Sequence, residues 1–306
     1  MPVITDVSLC TIQYGYRQKE AVHALYSALL DLGINFVQIP ASAVKLIGDG
    51  LVRDRTLIAV SADEQLPVGM AGYVCENAEQ KGRLICEAHL SDELPAWADE
   101  VRITADASLF MRDYEAEFIR LLEKPQITFC PKDAGHAGAA LAIEWLLSGG
   151  KGVVLSFLGS GGYAPLEQVL AALYTMGSKA FSLETLSRVA AAWERLAGQR
   201  IPDHSPVVGR RIFEVESGTH VDGILKKNGC YEPFAPEDVG GDRYIGIGKH
   251  SGKAALEHRL KELGIVTCDM DRLLELVRAA SIQHGGSLGD DELKVLAAQA
   301  GGEDAA

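Results

Sequence analysis

The stretch 127-ITFCPKDAGHAGAALAIEWLLSGGKGVVLSFLGSGGYAPLEQVLAALYTM-176 runs strand, helix, strand, helix. Ile127–Cys130 and Val153–Phe157 are short apolar runs of strand type, bounded by Pro, Asp and Gly. Ala137–Leu147 and Pro165–Met176 carry helical patterns, and Pro165 has its φ pre-set for a helix start. Strand–helix alternation of this kind implies parallel strands covered by helices. The loop 158-LGSGGYAP-165 holds no cationic side chain, so its glycines read as a tight strand-to-helix turn and not as an anion cradle.

The same texture extends towards the N-terminus. Val3–Leu9, Ile34–Ile39, Thr56–Val60, Val68–Val74, Arg83–Leu90 and Val101–Ala105 read as further strands, and Lys19–Leu32 and Tyr114–Glu123 as helices. Gly33 follows the first helix as a C-cap. Eight strands suffice for a closed (β/α)8 barrel, although roughly 165 residues is short against the usual 200–250. Residues 41–107 have room only for stubby helices. The expectation is therefore an α/β fold built on a compressed or eroded TIM-type barrel, with an open doubly wound sheet as its rival. Leu183–Ala197 reads as a helix ending at Gly198, and the Pro-bearing IPDHSPVVG follows, placing a domain boundary near Arg200. Residues 205–252 are rich in Gly and polar types. Helices at Lys253–Leu263, Met270–His284 and Asp290–Ala298 come after, with Leu273, Leu274, Val277 and Ile282 expected on one apolar face.

Composition excludes several function classes. The chain of 306 residues is 47% hydrophobic and 23% charged, which fits a globular protein with a real core. Lys plus Arg number 29 against 42 Asp plus Glu, a formal charge of -13 that repels nucleic-acid phosphates and anionic lipid. No apolar run approaches the ~20 residues that cross a bilayer, and MPVITDVSL has no secretory pattern, so a cytoplasmic protein is expected. Six cysteines without a CxxC pair read as free thiols. A phosphate loop is excluded in GIGKHSGK, because Ile247 stands where Gly is needed and Ala254 where Ser or Thr is needed.

The segments LETLSRVAAAWERLAGQRIP, ESGTHVDGILK, YEPFAPEDVG and GKHSGKAALEHRLKELGI, in this order and spacing, resemble the C-terminal part of homocitrate synthases. The likeness is greatest to the nitrogenase-associated bacterial type, and it extends to the 2-isopropylmalate synthases. Upstream, ITFCPKDAGHAGAALAIEWLLSGG resembles the family's seventh strand and helix, PLEQVLAAL the helix after its last strand, and ITDVSLCT its first strand. The resemblance implies a pyruvate carboxyltransferase-type barrel over 1–200, then a lid and helical dimerisation subdomain over 201–306. It implies a Claisen condensation of acetyl-CoA with 2-oxoglutarate, in which a barrel-bound divalent metal polarises the ketone. It also implies that a His and a Tyr after the barrel serve the partner subunit's site. By motif these are His220 and Tyr231, with Ser217, Gly218, His250 and Ser251 as substrate-binding candidates.

On the barrel side the motifs are broken. Leu9, Cys10 and Thr11 stand where the family has Leu-Arg-Asp, and Phe129, Cys130 and Pro131 where it has His-x-His. Ser156 replaces an Asn, and a Gly-Glu-Arg loop is replaced by Gly159, Ser160 and Gly161, while Asp133 and Gly135 are kept. Thr11, Phe129, Pro131 and Ser156 make a poor ligand set for a hard dication or for zinc. A rebuilt centre would draw on Glu87 and His89, which share a strand face, on Asp106, or on Cys10 and Cys130; each also reads as a capping, surface or packed residue. The leading expectation is a chain that binds no cofactor alone. It would pair with itself or with an intact synthase-like chain as a pseudoenzyme or half-site donor. The alternatives are an active acyl-CoA:2-oxo acid transferase with a rearranged site, and a sensor that binds an acyl-CoA or a 2-oxo acid.

Overall fold

The computed structural model describes residues 1–60, 67–76, 82–216, 220–221, 223–224, 232–266, 269–301 and 303–304. Eight parallel strands close into a barrel in sequence order: β1 (Val3–Asp6), β2 (Phe36–Pro40), β3 (Thr56–Ala59), β4 (Gly72–Val74), β5 (Leu84–His89), β6 (Glu100–Ala105), β7 (Ile127–Pro131) and β8 (Gly152–Leu155). Closure comes from β1 lying beside β8, with Val3 opposite Gly152 and Asp6 opposite Leu155. The open doubly wound rival is thereby excluded. The first strand is shorter than its apolar run, since Ser8–Thr11 forms a helical turn at the mouth.

The outer layer is uneven. Helix Lys19–Asp31 buries Val22, Leu25, Tyr26 and Leu29 and packs against helix Leu186–Ala197. Helices Tyr114–Leu122, Gly138–Leu147 and Leu166–Thr175 cover the far side. Between β2 and β3 lie one short α-helix, Ala43–Ile47, and the 3-10 turns Gly48–Gly50 and Arg53–Arg55, and the fully described connection 90–99 between β5 and β6 has no helix. This is the erosion that the short barrel length calls for.

Register decides which residues face the lumen. The Tyr26 hydroxyl of the outer helix lies 2.7 Å from Thr56 Oγ1, so Thr56 points out and Leu57 in. Ile85 with Glu100, Glu87 with Arg102, and His89 with Thr104 share faces across β5 and β6. Arg102 and Thr104 lie opposite Thr128 and Cys130 of β7. Arg102 has no exposed surface, and its Nη1 donates to Gln38 Oε1 of β2, on the opposite side of the ring. A single guanidinium thus spans the barrel, with Glu100 Oε1 at 3.5 Å and Glu87 Oε1 at 3.7 Å.

The chain divides into compact units at 1–209 and 210–306. The second pairs Glu214–Val215 with Tyr244–Ile245 in parallel and Ile265–Val266 with Glu303–Asp304 antiparallel. Helices Lys253–Glu262, Met270–His284 and Asp290–Gln299 surround its own core, which includes Val221, Ile247, Leu256, Leu273, Val277 and Leu293. The face predicted for Met270–His284 holds through Val277 but not at Ile282, which is 69% exposed. One helical turn beyond Val277 lies Ser281, which is buried and bonds Lys249 N and Gly286 O.

Candidate functional site

Functional residues of such a barrel gather at the C-terminal ends of its strands. Two of the broken motif positions meet there. Thr11 Oγ1 donates to the Ser8 carbonyl at 2.9 Å and lies 2.7 Å from Ser160 Oγ, while Ser156 Oγ donates to the Ser160 carbonyl at 2.7 Å. Phe157 N donates to Ser8 Oγ at 2.7 Å. These hydroxyls latch the turn after β1 to the loop after β8. The loop needs its glycines: Gly161 has φ +69°, and a Cβ there would strike the Thr11 side chain.

Phe129 is not at the mouth. Its ring lies 5.4 Å from that of Phe118 and 5.5 Å from that of Trp145, both on covering helices, so it points out of the barrel. Pro131 is buried and offers only its carbonyl, which accepts from Ala164 N. The retained Asp133 accepts from Gly138 N at 2.9 Å and so supports the start of helix Gly138–Leu147.

The inward group nearest the mouth on β7 is Cys130, buried with Val7 and Val154 and packed against Tyr163. Burial pushes its thiol up to about 12, with the Glu87 carboxylate adding to the shift. Cys10 is open by residue area, yet its sulfur is walled in by protein, 3.5 Å from the Gln38 carbonyl. That desolvation, helped by Asp6 and Glu87, pushes it up to about 12 as well. Both thiols are therefore protonated near neutrality, and neither is the thiolate that zinc or nucleophilic catalysis requires. Among the described residues no three His, Cys, Asp or Glu side chains are grouped to hold a metal ion. The donors at the family's metal positions do not fit a dication.

The mouth nevertheless holds a cleft of roughly 500 Å³ over β5–β7, with Glu87, His89, Thr104, Asp106, Arg112 and Lys132 on its walls. His89 Nδ1 lies 3.0 Å from Thr104 Oγ1, and Lys132 Nζ stands 3.4 Å from the centre of the Tyr163 ring. Glu87 and His89 share this cleft as their two-residue spacing predicts. Sequence reading passed over Arg102, Arg112 and Lys132. The available signal was Arg102 itself, a charge inside an otherwise apolar strand run.

In the second unit His220 is exposed and helical. Ser217, Gly218 and Tyr231 lie outside the described residues, as do Cys230 and Cys268. His250 is exposed, and its backbone N–H donates to Glu216 Oε1 at 2.8 Å. Ser251 is 1% exposed; its hydroxyl accepts from Gly248 N at 3.0 Å and reaches the Gly246 carbonyl at 3.4 Å, which shapes the GKHSG loop.

Residues 207–282 match the family described as homocitrate synthase post-HMGL domain-like. The chain is 34% identical over 193 residues to the homocitrate synthase omega subunit of Clostridium pasteurianum, covering 61% of this chain and 53% of that one. It is 35% identical over 207 residues to a Frankia homocitrate synthase, covering 64% and 49%. A third relative is homocitrate synthase AksA of Methanocaldococcus jannaschii, 35% identical over 258 residues and covering 76% and 63%. The chain spans about half the length of the first two relatives. A 2-isopropylmalate synthase of Methanopyrus kandleri is also similar, at 36% over 168 residues, covering 53% of this chain and 33% of that one. With the closed barrel and the post-barrel motifs in place, the chain belongs to the homocitrate synthase and 2-isopropylmalate synthase family.

Proposed function

We propose that this chain is a subunit of a homocitrate synthase-type assembly that does not carry out the condensation in its own barrel. It lends its post-barrel segment, with His220 and Tyr231, to the site of a partner that does. The observation that carries this reading is the fate of the family's metal positions: Thr11 and Ser156 hold a latch, Phe129 faces the helices and Pro131 has no side-chain donor. Without a dication the 2-oxo acid ketone is not polarised. The Clostridium pasteurianum relative is named as a subunit, which supports a divided assembly. The imidazole of His220 would serve as an acid–base group for the partner, and the phenol of Tyr231 as a hydrogen-bond donor.

The test is co-expression with an intact synthase chain, followed by measurement of free CoA from acetyl-CoA and 2-oxoglutarate with a divalent metal. The chain alone should release none. The co-purified pair should be active, and His220→Ala in this chain should lower its rate about 100-fold or more. Turnover by the purified chain alone, or failure to associate with any synthase chain, would overturn the reading.

A further inference from the structure

We propose that Cys75 and Cys86 close a reversible disulfide across the outer face of β4 and β5, formed by exchange with a small-molecule disulfide. Register brings the two together. The ladder pairs Tyr73 with Leu84 and Val74 with Ile85. One step further, Cys75 N donates to the Ile85 carbonyl at 2.9 Å, the same bond that Tyr73 N makes to the Arg83 carbonyl. Cys75 therefore stands opposite Cys86. Neighbouring strands run about 4.8 Å apart, inside the roughly 4.4–6.8 Å that a disulfide allows between its Cα atoms.

The two thiols also share a face. A Cβ on Gly72 would meet the side chains of Leu57 and Ile85, which line the lumen, so Gly72 faces inward and Tyr73 and Cys75 outward. On β5, Ile85 and Glu87 face inward, which turns Cys86 outward as well. Both cysteines stand as thiols in the structure. Their sulfurs donate weakly to carbonyls, Cys75 to Tyr73 at 3.7 Å and Cys86 to Glu87 at 3.4 Å, bonds that a turn about χ1 releases. Cys75 is 7% exposed, whereas Cys86 is half-buried. An incoming reagent thus meets Cys86 first. Burial, the neighbouring Cys75 and the carboxylates of Glu87 and Glu76 hold the Cys86 thiol above its ordinary value, so exchange is slower than at an open thiol.

The chemistry balances with a low-molecular-weight disulfide such as oxidised glutathione. The Cys86 thiolate attacks one sulfur, the glutathione S–S bond breaks, and the departing thiolate takes up the proton that Cys86 gave. The Cys75 thiolate then attacks the Cys86 sulfur of the mixed disulfide and releases the second glutathione. Two protein thiols lose two electrons and two protons, and the glutathione disulfide is reduced to two thiols. The product ties β5 to β4, which at Gly72–Val74 is the shortest strand of the barrel.

The test incubates the full chain in a glutathione redox buffer at mildly alkaline pH, blocks remaining thiols, and maps tryptic peptides without reduction. Trypsin cuts after Arg83, between the two cysteines, so a link appears as two joined peptides. The native chain should yield the Cys75–Cys86 link, and dithiothreitol should remove it. The two lie close in sequence, so the urea-unfolded chain is the control: the native exchange constant should exceed the unfolded one by about tenfold or more, because the strands hold the thiols together. The oxidised chain should accordingly unfold at a higher temperature than the reduced one. In Cys75→Ala, Cys86 should instead keep its glutathione as a stable mixed disulfide. No link in the native chain, equal exchange constants in the native and unfolded chains, or a link from either residue to another cysteine would each overturn the proposal. The subunit reading stands or falls separately, since it rests on the post-barrel segment.

Discussion

At the scale of the residue, Phe129 carries the most information. Its position in the motif marks it as a lost metal ligand, yet its ring completes an aromatic cluster with Phe118 and Trp145. Phe129→His should therefore not restore a metal site. It should place an imidazole among apolar rings and destabilise the protein by about 2–4 kcal/mol, the range of buried large-to-small and polar substitutions. Urea unfolding measures the loss, and zinc or manganese titration should show no new binding. New stoichiometric metal binding would mean that β7 turns its side chains the other way. The sequence shows which residue types are missing from the motif. It does not show orientation, because a one-residue change in register exchanges the two faces of a strand.

At the scale of the element, the end of β1 and the turn Ser8–Thr11 form one hydrogen-bonded device. Asp6 is fully buried and accepts from Ser8 N at 2.9 Å and Ser8 Oγ at 2.8 Å. Burial raises its carboxyl from 3.8 to about 7, against the lowering effect of those bonds. The native state thus keeps a proton that the unfolded chain gives up near pH 4. This contribution to stability is complete below the unfolded value and is lost as pH rises through 7. Asp6→Asn removes the titration, so wild type should lose ground to the variant as pH rises from 5 to 8 in urea unfolding. A constant difference across that range would show that Asp6 does not titrate there. Glu167, similarly buried and raised to about 7, accepts from Leu158 N at 2.9 Å, so the variant should retain part of the slope. None of this was legible in ITDVSLCT, where Asp6 falls inside the strand expected over Val3–Leu9. Its surroundings include Leu155, opposite it in β8, and the Phe157 backbone, about 150 positions along the chain.

At the scale of the whole molecule, the decisive feature is that the last barrel strand lies beside the first. Val154 pairs with Thr5 in β1, and Phe129 of β7 pairs with the neighbouring Val153, so β8 is interior to the ring. Val154→Pro should remove a ladder hydrogen bond within a strand flanked on both sides and leave its buried partner unsatisfied, a cost of about 1–3 kcal/mol. The variant should expose two strand edges and elute as larger species in gel filtration, with reduced far-ultraviolet signal. Tolerance of proline there would mean that β8 lies at a sheet edge, where proline is accommodated.

Local pattern alone established the eight strand segments, the helices that follow β1, β6, β7 and β8, and the poverty of covering helix around residues 41–107. These are short-range properties, written in apolar spacing and residue type. Ring closure, the guanidinium that crosses the lumen from β6 to β2, the outward turn of Phe129 and the gathering of Arg112 and Lys132 at one cleft were decided only by the tertiary structure. Each depends on pairings between residues far apart in the chain, and parallel strands have no hairpin turn to announce their neighbours or their register.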